Sequence, residues 1–325
     1  GGINYRYFKY DHVTSDRQVG STFKPFVYAA AIDNLSISPC MEVYDRAQTI
    51  FPDEGQFGLL EPWTPANSDG EYSGEKITLK DGLKQSLNTV SVNLMKRLGN
   101  VDLVLNLTSQ LGINEEKIPR SPSICLGASD LSVMDMAGAY SAFANKGMYT
   151  KPIYLLKIED ANGKVIYTDQ SIPQQALSEN KNYVMVEMLR YAAEDVVRYQ
   201  HKVKTPLGGK TGTTNDFTDG WFMGITPNLI IGTWVGGDDR WIRFTSIVDG
   251  QGARMARPFF GEVLRLIEQD SMPGFGPDVE FNIPQGDIGI ELDCEAYKLI
   301  NEGTPNEFDD EDIEDKPVDL DDEWG

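Results

Sequence analysis

The chain has 325 residues, 40% of them hydrophobic and 10% aromatic, with a formal net charge of −21. That length supports one large domain or two medium ones with a substantial core, and the apolar content is ordinary for a globular enzyme. No apolar run approaches the roughly 18 residues that span a bilayer, the negative charge disfavours nucleic acid, and 3 cysteines with 2 histidines leave little for a disulfide framework or a metal site.

The chain opens Gly1-Gly2-Ile3-Asn4-Tyr5 without a methionine or a leader pattern, which reads as a cut or processed end. Residues 21–34 read as a helix that Ser21 or Thr22 can cap, with Pro25 in the tolerated first turn and Phe26, Val27, Ala30 and Ala31 on an apolar face. Residues 40–75, rich in Gly, Pro, Asp and Asn, read as a long ordered loop with short strands. KITLKDGLKQ and NTVSVNLMKRLG are short helices, the second closed by Gly99, and Ser86-Leu87-Asn88 lies between them.

VDLVLNLTSQLGI and SVMDMAGAYSAFANKG are further amphipathic helices, the latter with Ser132 and Asp135 in capping positions. Residues 151–171 read as a hairpin around Asn162-Gly163, followed by the helix NKNYVMVEMLRYAAED. LGGKTGTT, GWFMGI and LIIGTWVGG read as successive antiparallel strands, and RPFFGEVLRLIEQ as a final helix packing on them. The order is that of an α+β protein whose sheet comes largely from the second half. Residues 307–325 carry eleven acids and one lysine and read as a disordered acidic tail.

Three short motifs carry possible chemistry. Ser21 and Lys24 are spaced i, i+3, so a serine hydroxyl and a lysine amine can meet on one helix face; the positive helix end and burial would lower the lysine's pKa toward a neutral base. The same spacing recurs at Ser73/Lys76 and Ser178/Lys181, both in polar, turn-like stretches, and an ordinary helix start with a solvated lysine accounts for any one of them. Ser86 and Asn88 can project into one cleft or merely cap the next helix. In Lys210-Thr211-Gly212-Thr213, strand alternation puts Lys210 with Gly212 and Thr211 with Thr213, an edge along which a peptide backbone can lie and a carboxylate be held. No glycine stands where a Walker-type phosphate loop requires one before Gly-Lys-Thr.

Taken together and in this order, the three motifs resemble the Ser-x-x-Lys, Ser-x-Asn and Lys-Thr-Gly set of penicillin-binding proteins and serine β-lactamases. RQVGSTFKPFVYAAAID, WTPANSDGEYSG, LKQSLNTVSVNLMKRLG, MAGAYSAFANKG and GGKTGTTNDFTDGWFMGITPNLIIGTWVGGDD are similar to the transpeptidase domain of class A penicillin-binding proteins. The resemblance implies the penicillin-binding/serine β-lactamase-like fold, an antiparallel sheet flanked by helices plus a mainly helical subdomain. It implies a transpeptidase domain over 1–272 and a C-terminal extension over 273–325.

It also implies a peptidoglycan D,D-transpeptidase acting through an acyl-serine and blocked by β-lactams, without metal or cofactor. Ser21 would be the nucleophile, Lys24 the base, and Ser86 with Lys210 the proton relay. Asn88 would hold the substrate amide, Thr211, Gly212 and Thr213 its terminal carboxylate and backbone, and the N–H groups of Ser21 and Thr213 the oxyanion. The partners implied are stem peptides and β-lactams, with an upstream glycosyltransferase domain and a membrane anchor that would put this domain on the extracytoplasmic face of the bacterial membrane.

The resemblance departs at YAAEDVVRYQHKVKTPLGG, where relatives usually carry Gly-Thr-Gly or Gly-Thr-Ala, so the loop beside the cleft is expected to be shorter or altered. A D,D-carboxypeptidase or a non-catalytic β-lactam-binding domain shares the motifs. A β-lactamase of the kind using Glu-x-x-Leu-Asn is disfavoured because the chain lacks that pattern.

Overall fold

The computed structural model describes residues 11–214, 217–270 and 272–301; the acidic tail read at 307–325 lies outside them. Its centre is helix α1 (Lys24–Leu35), whose residues from Lys24 to Ile32 are all buried. The apolar run after Ser21 reads as a buried helix, and α1 is buried all round because α3 (Asn88–Leu98), α4 (Asp102–Gln110) and α6 (Glu179–His201) pack about it. A buried helix of this kind needs no polar face. Phe26 stands among the rings of Phe23, Tyr140 and Phe143, with centroids 5.2–6.2 Å away.

The main sheet, among the described residues, has three antiparallel strands in the order β11 (Ile230–Gly236), β10 (Asp219–Ile225), β9 (Gly208–Thr213). Trp221 pairs with Trp234 on one side and Gly212 on the other. Alternation along β10 splits its side chains between two cores. Trp221, Met223 and Ile225 join the large core around α1, under α5 (Val133–Ala144). Phe222 faces a smaller core with Phe260 and Leu264 of α9 (Arg257–Asp270) and Ala193 and Val197 of α6. A side chain at Gly224 would strike the Phe260 ring at 2.2 Å, so glycine lets α9 approach the sheet.

Paired short strands sit around this frame: β1 (Arg17–Gln18) with β4 (Asp130–Leu131), β2 (Glu42–Tyr44) with β3 (Lys76–Thr78), β5 (Met148–Tyr149) with β8 (Gln174–Gln175), and β6 (Lys157–Glu159) with β7 (Val165–Thr168). The β6–β7 hairpin is the one read at 151–171, and Ile158, Val165, Ile166 and Tyr167 on it are all exposed. Residues 76–78 are thus strand rather than helix, and α2 (Leu79–Gln85) starts only at the capping Thr78, whose hydroxyl accepts the Asp81 N–H.

The altered stretch before Lys210 also has a simple form. Helix α6 continues to His201, ends on a left-handed Lys202, and reaches β9 through residues 202–207. Gly208 then passes the α6 backbone so closely that a Cβ would lie 2.9 Å from Arg190 N.

Three cysteines at wide spacing suggest no disulfide framework. The structure joins Cys40 to Cys294 across a sequence separation of 254. Cys294 opens a further helix, α10 (Cys294–Ile300), beyond the helix expected to be last. Ser38 Oγ donates to Glu291 O beside it, so residues 291–294 are tied to the segment that precedes β2.

Candidate active site

Ser21 does not begin an α-helix. Residues Gly20–Phe23 form a 3-10 turn, α1 starts at Lys24, and no side chain caps either element. The capping expected of Ser21 or Thr22 is replaced by backbone: Val19 N–H bonds Ser129 O at 3.0 Å, and Gly20 N–H bonds Gly127 O at 3.2 Å. Thr22 instead turns its hydroxyl back to Val19 O, and the buried Tyr140 hydroxyl donates to Thr22 O at 2.6 Å. Among the described residues the Ser21 hydroxyl makes no structural hydrogen bond, and its turn is clamped from both sides.

Lys24 is fully buried, its amine pointing to the Ser86-Leu87-Asn88 connection. Nζ donates to Ser86 O at 2.6 Å and to Asn88 Oδ1 at 2.8 Å. Burial, and secondarily the charge of Lys210, hold this amine well below the usual lysine range. The free Cys125 thiol in the same interior is pushed up to about 12 by burial, which keeps it protonated and inert.

Ser86 ends α2 in a left-handed conformation, φ 62°, and Leu87 is extended, so neither Ser86 nor Asn88 caps α3 with its side chain. The left-handed residue turns the chain sharply enough to bring the Ser86 carbonyl and the Asn88 amide to one amine. From the opposite wall, buried Lys210 donates to Ser86 Oγ at 2.8 Å and to Thr211 O at 3.1 Å. Burial alone pushes the Lys210 amine down to about 7.

The expected alternation along β9 is present. A Cβ on Gly212 would meet Val19 O at 2.7 Å, on the side of the Ser21 turn, to which Lys210 also reaches. Thr211 and Thr213 are half-buried, and Thr213 Oγ1 accepts the Gly252 N–H at 3.1 Å. The other side of β9 is paired to β10, leaving the edge beside the Ser21 turn open for a ligand backbone. The structure thus gathers Lys24, Ser86, Asn88 and Lys210 into one hydrogen-bonded group, with Ser21 one turn before Lys24 and Gly212 lying against Ser21's turn. Ser178 caps α6 and Ser73 bonds Asp45, so both decoy serines are structural.

Sequence reasoning missed Asp45, Asn67 and Gly127. Asp45 accepts bonds from Asn67, Thr89 and Ser73; burial alone would raise its pKa, but these hydrogen bonds outweigh it and hold the carboxyl below its usual range. A side chain at Gly127 would lie 1.8 Å from Gly20 O, at φ +81°. No periodicity marks these positions; the glycine and the polar loop residues acquire meaning only once distant segments meet.

Comparison with known proteins agrees with this geometry. The family model described as the penicillin binding protein transpeptidase domain matches residues 3–235. Penicillin-binding protein 1A of Aquifex aeolicus (strain VF5) is 30% identical over 315 residues, 95% of this chain and 41% of that protein. Penicillin-binding protein 1A of Neisseria meningitidis serogroup A / serotype 4A is 35% identical over 238 residues, 70% of this chain and 28% of that protein. The chain thus spans less than half the length of these relatives.

Among solved structures, penicillin-binding protein 1A from Haemophilus influenzae superposes with a TM-score of 0.72 at 24% identity, over 86% of this chain and 46% of that one. PonA1 from Mycobacterium tuberculosis in complex with penicillin V gives 0.69 at 24% identity, over 87% and 76%. These two likenesses establish the α+β penicillin-binding fold. With well over half of its residues matched by the family model and with relatives of the 1A type, the chain belongs to the penicillin-binding protein transpeptidase domains, in their class A branch.

Proposed function

We propose that this chain is a serine D,D-transpeptidase that cross-links peptidoglycan stem peptides. One observation carries the reading: two buried lysines approach Ser86 from opposite walls, Lys24 at its carbonyl and Lys210 at its hydroxyl, beside the hydroxyl of Ser21, which makes no structural hydrogen bond among the described residues. A neutral Lys24 amine takes the Ser21 proton as Oγ attacks the carbonyl of the penultimate D-alanine. The oxyanion is held by the Ser21 and Thr213 N–H groups. As the carbon–nitrogen bond breaks, the departing amine of the terminal D-alanine takes, through the Ser86 hydroxyl, the proton that Lys24 gained from Ser21, while Lys210 holds that hydroxyl in place. A stem-peptide amine then attacks the acyl-serine and gives a proton to Lys24, which passes it to Ser21 Oγ as the acyl–oxygen bond breaks, so that the serine and the neutral amine are both regenerated.

Asn88 would hold the substrate amide, and Thr211 and Thr213, beside Gly212, the terminal carboxylate. A β-lactam would acylate Ser21 and remain. An extracytoplasmic setting is supported by the Cys40–Cys294 cystine, which suits an oxidising compartment. A glycosyltransferase domain and a membrane anchor upstream are supported by how little of its relatives the chain spans. The reading keeps residues 1–272 as the transpeptidase domain and 273–325 as an extension tethered through that cystine.

The deciding experiment is intact-mass spectrometry of the chain with excess benzylpenicillin, followed over hours and mapped by digestion. A lasting adduct of one drug mass on the Ser21 peptide, absent in Ser21→Ala and kept in Ser178→Ala, is expected. Drug hydrolysis without a lasting adduct would make the chain a β-lactamase. Neither adduct nor hydrolysis would make it a silent binding domain. A carboxypeptidase would show the adduct yet release D-alanine from a pentapeptide without joining it to an acceptor amine.

A further inference from the structure

The Ser86–Asn88 connection is held from behind by residues outside the three motifs. Helix α3 starts without a side-chain cap of its own, which would leave its first N–H groups unpaired. Asn67, 6% exposed and 21 residues away from Asn88, supplies the missing acceptor. Its Oδ1 accepts Asn88 N–H at 2.8 Å and Thr89 N–H at 3.3 Å. Its Nδ2 donates to Asp45 Oδ1 and to Glu71 O, both at 2.9 Å.

Asp45, 3% exposed, fixes which way that amide faces. Its Oδ1 also accepts Thr89 Oγ1 at 2.7 Å, and its Oδ2 accepts Ser73 N–H at 2.9 Å and Ser73 Oγ at 3.0 Å. A carboxylate saturated by donors leaves Asn67 no choice but to present its nitrogen to Asp45 and its oxygen to α3. Asn88 is held a second time, by its Nδ2 donating to Ala66 O at 2.7 Å, next door to Asn67. Its Oδ1 is left facing Lys24.

The consequence falls on one amine. A neutral lysine has two N–H bonds and one lone pair. With the N–H bonds spent on Ser86 O and Asn88 Oδ1, the lone pair has a single remaining direction in which to accept a proton. We propose that Asn67, oriented by Asp45, is a positioning residue for the acylation of Ser21: by anchoring the start of α3 it fixes the two acceptors that aim the Lys24 lone pair. The proposal rests on the reading of Ser21 as the nucleophile and Lys24 as its base.

The test is acylation by benzylpenicillin at rising drug concentrations, which separates the drug's dissociation constant from the first-order acylation constant. That first-order constant belongs to the reacting molecules and is independent of the folded fraction of a sample. In Asn67→Ala it is expected to fall about 10–100-fold, the loss that a misplaced reacting group of ~1 Å incurs, with drug affinity little changed. Asn67→Asp keeps the acceptor for α3 but sets a second carboxylate against Asp45, and is expected to be equally slow. Asp45→Asn with Asn67→Asp restores a donor and an acceptor between the two positions and is expected to recover at least tenfold over Asn67→Asp.

Wild-type acylation constants in Asn67→Ala would overturn the proposal and leave the catalytic reading intact. If Asn67→Ala does not fold, the paired variants decide, and equal rates in Asn67→Asp and the double variant would overturn it. A wild-type chain that takes up no drug at Ser21 would overturn the catalytic reading and this proposal with it.

Discussion

A methyl group on the Cα of Gly20 would lie 2.7 Å from the carbonyl oxygen of Thr213, so the turn that carries Ser21 and the strand that carries Lys210 meet backbone to backbone. Position 20 is glycine for a second reason, its left-handed φ of +52°. Gly20→Ala is expected to cost about 1–3 kcal/mol through backbone strain, with more from the clash, and to slow acylation about 100-fold by moving Ser21 off the strand edge. Denaturant midpoints and acylation rates measured together check this; a variant as stable and as fast as wild type would show that the contact yields.

Tyr140 tests the same turn from the other side. Its hydroxyl, wholly buried, holds Thr22 O. Tyr140→Phe keeps the ring packing against Phe26 and Phe143 but strands a buried carbonyl, at a cost of about 1–3 kcal/mol. Chemical denaturation at neutral pH measures it, and a change below about 0.5 kcal/mol would mean that water or a shifted backbone replaces the bond.

The buried lysines make stability depend on pH. Lys210 has a native pKa of about 7, whereas the unfolded chain titrates it near the ordinary ~10.4. Between those values the unfolded state binds a proton that the native state lacks, so its contribution to stability rises with pH, by at most about 1.4 kcal/mol per unit, and levels off below pH 7. Lys24, shifted the same way, adds to the trend. Unfolding free energies at pH 7.5 and pH 9.5 are expected to diverge, wild type gaining on Lys210→Met by roughly 1 kcal/mol per unit. A constant gap between the two proteins would refute the neutral amine.

Removal of the cystine is expected to separate stability from chemistry. Cys294→Ser should lose about 2–4 kcal/mol while Ser21 still takes up benzylpenicillin, because the bonds of Lys24 and Lys210 go to Ser86, Asn88 and Thr211 and not to the segments joined by Cys40 and Cys294. Loss of acylation in folded Cys294→Ser would instead tie the extension to the site.

What the sequence made legible follows from distance along the chain. Ser21 with Lys24, Ser86 with Asn88, and Lys210 with its neighbours are short motifs, and alternation and capping signals sufficed for β9, β10, β11 and α5, whose Ser132–Asp135 capping box is present. The 3-10 turn at Ser21 was hidden because the same residues satisfy the pattern of a capped helix; backbone bonds to Ser129 and Gly127 decide otherwise. The placing of Asp45 and Asn67 beneath Asn88 and the pairing of Cys40 with Cys294 are relations between distant segments. No local pattern encodes them.

That cystine also governs what happens when the backbone is cut. With Cys40 and Cys294 joined, everything between them is a covalent ring, and the exposed β6–β7 hairpin is its natural point of attack by a protease. A nick there opens the ring without releasing a fragment: the protein would run as a single species on a gel without reductant and as two pieces with it, still carrying Ser21 and Lys210 on opposite sides of the break.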